Sequence, residues 1–162
     1  MNRESLHRES AEGDHVQIVS TFENLKVYSV AREFRKAIYH VAKNVPEIEK
    51  FGLASQIRRA AISLKNNLAE GHGRYHYPDQ IEFTLQSRGS LEELVDDLNI
   101  CEDERYFTDR EVTALKEQGW RVRQLIDGYI RCLRQQTTSS ALRVKEEHFS
   151  RVDNRDDSRF SV

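Results

Sequence analysis

Glu70, His72 and His76 are the residues of this chain whose types and spacing come nearest to catalytic or metal chemistry. A carboxylate beside an imidazole can act as a general base, and a carboxylate with two imidazoles can hold zinc. Both uses require the side chains to converge. His72 and His76 share a face only if their segment is helical, whereas Gly71, Gly73 and Pro78 mark a turn. A closed zinc site needs a fourth ligand that the neighbourhood lacks, and no nucleophile, phosphate loop or second catalytic acid stands near. The sequence therefore nominates no catalytic residue, no metal and no cofactor, and the chain is expected to be a non-enzyme.

Charge is the more informative chemistry. Between Phe51 and Tyr77 stand Arg58, Arg59, Lys65 and Arg74 against the single acid Glu70, with His72, Tyr75, His76 and Tyr77 among them. Cations interleaved with aromatics suit phosphate contact plus base stacking, the terms that dominate binding of single-stranded nucleic acid. Arg58, Arg59, Lys65, Arg74 and Tyr75 are the candidate nucleic-acid contacts; the competing reading is solvated or ion-paired helix surface. From Leu91 to Glu104 the balance reverses, with Glu92, Glu93, Asp96, Asp97, Glu102, Asp103 and Glu104 and no basic residue. Such a run is usually a solvated face. Glu92, Glu93, Asp96 and Asp97 are also a candidate subunit or partner interface, because an acidic patch meeting a neighbour's basic patch makes a head-to-tail contact that can close into a ring. Arg59, Ser63, Asn66 and Glu70 fall on one polar stripe, which Arg88 and Glu92 can face from the next helix. The expectation for Arg59, Asn66, Glu70 and Arg88 is a partly buried polar network that fixes helix register.

These residues must be positioned by helices. Val27, Ala31, Phe34, Ile38, Val41 and Val45 recur at alternating spacings of four and three, a helical stripe with Asn24 as N-cap and a stop before Pro46. Leu53, Ile57, Ala60, Ala61, Leu64 and Leu68 form a second stripe with Gly71 as its stop. A third helix opens at Pro78 and is apolar at Leu91, Leu94, Val95, Leu98 and Cys101, while Ser87, Gly89 and Ser90 would admit a close neighbour. The fourth opens with a capping box, Thr108 to Glu111, and continues through Leu115, Gly119, Val122, Ile126, Tyr129 and Leu133. Four stripes, short connections and no alternating pattern predict an all-α, antiparallel up-down-up-down four-helix bundle over residues 22–136. A flexible arm is expected over 1–21, and a polar tail over 137–162, broken at Thr137–Ser140 and with a short helix near Ala141–Phe149.

The chain has 162 residues, 25 basic and 27 acidic, so its formal charge is -2 and nucleic-acid binding must rest on local patches. Its two cysteines, Cys101 and Cys132, sit in different helical patterns and read as buried small apolar residues rather than a disulfide framework. Trp120 is expected at a helix or subunit boundary. No membrane-spanning stretch or targeting segment is visible, which points to a cytoplasmic protein.

Three blocks carry a specific resemblance: FENLKVYSVA at Phe22–Ala31, SQIRRAA with NLAEGHGR within Ser55–Arg74, and QSRGSLEEL at Gln86–Leu94. They resemble the four-helix-bundle family of bacterial proteins first met as open reading frames in intervening sequences of 23S ribosomal RNA genes. Family members often carry proline where Lys65 stands, so this second helix is expected to be straighter or more basic there. A more distant group, the accessory proteins of diversity-generating retroelements, forms ring-shaped pentamers that bind a reverse transcriptase and nucleic acid. The resemblance thus implies a homo-oligomer, a pentameric ring, with RNA or single-stranded DNA and a reverse transcriptase or ribosome-related protein as partners. The alternative is a protein-interaction scaffold that uses the acidic third helix and binds no nucleic acid.

Overall fold

The structure, a computed structural model, describes residues 21–156, with side chains to Arg143. The arm expected over 1–21 lies, Thr21 apart, outside the described residues, as do 157–162. Four helices account for nearly all the rest: α1 Lys26–Asn44, α2 Leu53–His72, α3 Tyr77–Asp103 and α4 Asp109–Asp156. Each packs against the next and α4 closes against α1, which is the up-down-up-down bundle. None of the described helices is long and apolar enough to cross a membrane.

The predicted stripes form the core. Val27, Ala31, Phe34, Ile38 and Val41 of α1, all six α2 stripe residues, and Leu91, Leu94, Leu98 and Cys101 of α3 are buried, with Val122, Ile126 and Leu133 from α4. Tyr28, Val112 and Ile130 join them. Asn24 does not cap α1. It ends a 3-10 turn, Phe22–Asn24, and Leu25 is the cap without a side-chain bond. Packing displaces capping here, since Phe22 and Leu25 lean on the core and the Phe22 ring meets Tyr28 edge-on at 4.8 Å.

Gly71 does not stop α2. It is buried inside the helix, and Gly73 caps it through N–H bonds to the Ala69 and Glu70 carbonyls. A Cβ at position 71 would lie 2.9 Å from Phe83 Cβ and 3.2 Å from the Gln80 carbonyl, so this glycine serves the close approach of α3. Ser87 and Ser90 hold the same seam: Ser87 Oγ donates to the Leu64 carbonyl at 2.6 Å, and Ser90 Oγ lies 2.8 Å from Ser63 Oγ. Gly89 takes no part, for it is exposed and a Cβ there would enter open space.

α3 ends in a Schellman motif, with Tyr106 N–H on the Cys101 carbonyl and Arg105 N–H on that of Glu102. Arg105 occupies the left-handed position, at φ 57°, where glycine is the usual residue. The capping box then starts α4: Glu111 Oε2 accepts the Thr108 N–H at 2.9 Å and Thr108 Oγ1 accepts the Glu111 N–H at 3.3 Å. The polar residues after Gln136 do not break α4. Thr137 and Thr138 return their hydroxyls to the Leu133 and Arg134 carbonyls, at 2.9 and 3.2 Å, so their polarity is met within the helix. The last buried residue among the described side chains is Leu133, while the helix runs on to Asp156.

Candidate nucleic-acid interface

At about 100° per residue, positions seven apart share a helix side. Arg58 and Lys65 accordingly both face α1. The Arg58 guanidinium donates to the Ala42 carbonyl at 3.5 Å and the Lys50 carbonyl at 3.2 Å, fastening the α1–α2 connection. Lys65 Nζ lies 5.8 Å from the centre of the Tyr28 ring. Arg59, one position on, is exposed on the outer side of α2. Arg74 pairs with Glu70 and lies 4.5 Å from the centre of the Phe83 ring. Tyr75 is 92% exposed, its ring edge-on to His76 at 5.0 Å. Three of the five candidate contacts thus also hold the fold, and Arg59 and Tyr75 stand open.

The structure adds a set of cations that the sequence reading passed over. α1 carries Lys26, Arg32, Arg35, Lys36 and Lys43 against one acid, Glu33. Glu33 lies 2.7 Å from Lys36, and its carboxyl is held below the usual range by that hydrogen bond. The Arg35 guanidinium carbon lies 5.1 Å from the Tyr39 ring centre, and its buried Nε meets no acceptor among the described residues. Because α1 and α2 run antiparallel in contact, Arg32, Arg35, Lys36 and Lys43 join Arg58, Arg59 and Lys65 on one basic face with Tyr28 and Tyr39 set into it. The signal was present in the charge count of Lys26–Asn44, hidden behind its apolar stripe.

α3 is the acidic counterpart, and it divides. Glu92 pairs with Arg123 of α4, Arg123 also meets Asp127 at 3.1 Å, and Asp127 accepts from Arg88 at 3.3 Å. Glu93 and Asp96 are exposed. Asp97 is not an interface residue: it is 4% exposed, because it stands three positions after Leu94 and four before Cys101 on the buried side. Its Oδ2 meets no donor among the described residues. Burial first, then the charges of Glu93 and Asp96, push its carboxyl up to about 6. Burial and the Asp97 and Glu49 carboxylates raise the Cys101 thiol to about 11, which suits a packed residue rather than a nucleophile. Cys132, expected to be buried, is exposed, for it lies off the Ile126, Ile130 and Leu133 stripe.

The expected network of Arg59, Asn66, Glu70 and Arg88 does not assemble. Positions 59, 66 and 70 fall on the side of α2 opposite Leu64 and are exposed, so Glu70 takes Arg74 and Arg88 takes Asp127. The register contacts run through Ser63 instead, which meets Ser90 and accepts from Asn67 at 3.1 Å. Among the described residues, no three His, Cys, Asp or Glu side chains converge as a metal ligand set.

Residues 23–128 match the family described as 23S rRNA-intervening sequence protein. Among solved structures the chain is similar to a protein of unknown function from the S23 ribosomal protein family of Bacteroides thetaiotaomicron, solved at 1.70 Å resolution. The two share 21% identity with a TM-score of 0.60, over 64% of this chain and 97% of that one. At that identity the likeness establishes the fold. No curated protein matches the chain.

Proposed function

The chain belongs to the 23S rRNA-intervening sequence protein family, and from that premise we propose that it is a non-enzymatic, self-associating bundle whose α1–α2 face binds RNA or single-stranded DNA in the cytoplasm. The observation that carries this reading is the polarity of the bundle. α1 and α2 hold Lys26, Arg32, Arg35, Lys36, Lys43, Arg58, Arg59 and Lys65 against Glu33 and Glu70, although the whole chain has a formal charge of -2. A basic face on a protein without net positive charge gives modest steering for one copy. Linking several copies in a ring lets one strand engage them together, which raises avidity without any change in the face itself. We further propose a pentamer with a reverse transcriptase or ribosome-related protein as partner, the assembly that the resemblance of the sequence blocks implies.

The test replaces Arg32, Lys43 and Arg59 together with Gln, three exposed residues with no hydrogen-bond or ion-pair partner among the described side chains. Each single-strand phosphate left without its cation lowers the slope of log affinity against log salt by about 0.7, so the slope should fall by about 2. Affinity for unrelated sequences should drop about equally, with the oligomer unchanged in light scattering. An unchanged slope contradicts the reading. The exposed Glu93 and Asp96 favour the second reading, a protein scaffold, which takes over if the parent binds no nucleic acid at low salt.

A further inference from the structure

Phe51 and Tyr75 stand just beyond the two ends of α2 and are 89% and 92% exposed. Neither contributes to the core. Phe51 is presented by a fastened segment: the Glu49 carboxylate accepts the Leu53 N–H at 3.2 Å and the Tyr106 hydroxyl at 3.1 Å, and Arg58 holds the Lys50 carbonyl. A cation attends Phe51: Lys50 Nζ lies 5.8 Å from its ring centre while pairing with Glu47 at 2.8 Å. Tyr75 has the His76 ring edge-on to it, and the neighbouring Arg74 is held by Glu70 and Phe83. An open ring beside a cation offers a nucleotide both of its contacts, the base on the ring and the phosphate on the charge. Between the rings run Arg58, Arg59 and Lys65, flanked by the cations of α1.

Bases inside a duplex are stacked on one another and have no free face for these rings, whereas a single strand does. Resting on the reading of α1–α2 as a nucleic-acid face, we infer that this face is a single-strand track with stacking platforms at its ends, Phe51 at one and Tyr75 at the other. α2 has 20 residues, so the track is about 30 Å long at about 1.5 Å per residue. At a stacked rise of about 3.4 Å per nucleotide, a strand needs about nine nucleotides to reach both rings, and fewer when stretched. A shorter strand reaches one.

The experiment measures fluorescence anisotropy of the full chain with labelled single strands of about four, nine and fifteen nucleotides and with a duplex of about fifteen base pairs, lengths that bracket a track of this kind. Affinity per strand should climb between the first two lengths. Phe51→Ala and Tyr75→Ala should each weaken the nine-nucleotide strand about tenfold, within the range for loss of one stacked base. Neither should change duplex affinity or the salt slope, and Phe51→Trp should restore binding. Both positions are exposed, so helicity and oligomer mass serve as fold controls. Equal losses for strand and duplex, or no loss in either variant, overturn the platforms while leaving the basic face standing. Dissociation of the oligomer by Phe51→Ala with strand binding intact makes that ring a subunit contact and also overturns the inference. A parent that binds no nucleic acid removes the face itself.

Discussion

Replacing Asp97 with asparagine should stabilise the bundle at neutral pH and lose that advantage in acid. The carboxyl is 4% exposed, its Oδ2 meets no donor among the described residues, and the charges that bias it, Glu93 and Asp96, are both negative. It holds its proton to about pH 6 instead of the ordinary 3.8. Below the lower value the folded and unfolded chains are both protonated and the group costs nothing. As pH rises the unfolded chain ionises first, so the cost grows and is complete above about 6. At roughly 1.36 kcal/mol per pH unit the full cost is about 3 kcal/mol. Asparagine removes the charge and brings an amide that must itself find partners, a cost of about 1 kcal/mol. The net expectation is a gain of about 2 kcal/mol at pH 7.5 and a small loss near pH 4. Glu33 and Glu111, whose carboxyls are held below the usual range mainly by hydrogen bonds, move stability with pH in the opposite sense. Variant and parent are therefore compared at each pH, by urea unfolding at one protomer concentration. A difference that is the same at both pH values, or a variant that is less stable at pH 7.5, would refute the unpartnered carboxylate.

Two glycines should respond to alanine with opposite signs. Gly71→Ala drives a methyl to 2.9 Å from Phe83 Cβ and should cost about 1 to 3 kcal/mol, whereas Gly89→Ala enters open space in a helix interior and should gain about 1 kcal/mol. Thermal melts decide this, and matching signs would contradict the α2–α3 seam. Arg105→Gly should gain up to about 1 kcal/mol by relieving the left-handed backbone at φ 57°, and a loss in urea unfolding would show that the arginine side chain holds the turn itself.

The fold was legible where a single period governs a segment. The four-and-three spacing of α1 and α2 places a continuous apolar stripe on one side, and a four-helix bundle buries four such stripes together. It failed where composition and position disagree. Asp97 sits among charges in sequence yet shares its helix side with Leu94 and Cys101, so reading the run as a block hid the one buried member. Thr137–Ser140 is loop-like in composition, but a hydroxyl that bonds four residues back is compatible with a helix. Gly71 has the local look of a stop, and only the tertiary approach of Phe83 shows its use. In the candidate site, Arg58 and Arg74 read as free cations because their partners, two backbone carbonyls and the Glu70 carboxylate with the Phe83 ring, depend on chain path and side-chain placement. The α1 cations were readable from charge alone, and the apolar stripe drew attention away from them.

The most direct test of nucleic-acid binding is photo-cross-linking of a uracil-containing single strand to the full chain at low salt, with the adducts mapped by mass spectrometry. The α1–α2 reading predicts adducts on Tyr39, Phe51 and Tyr75, the accessible aromatic residues set along or at the ends of the basic face, and none on Tyr28, which is buried beneath Lys65. Trp120 of α4 is 46% exposed and lies off this face, so it reports the opposite result. Adducts confined to Trp120 and the α3–α4 side, or none at all, would contradict the assignment of nucleic-acid binding to α1 and α2.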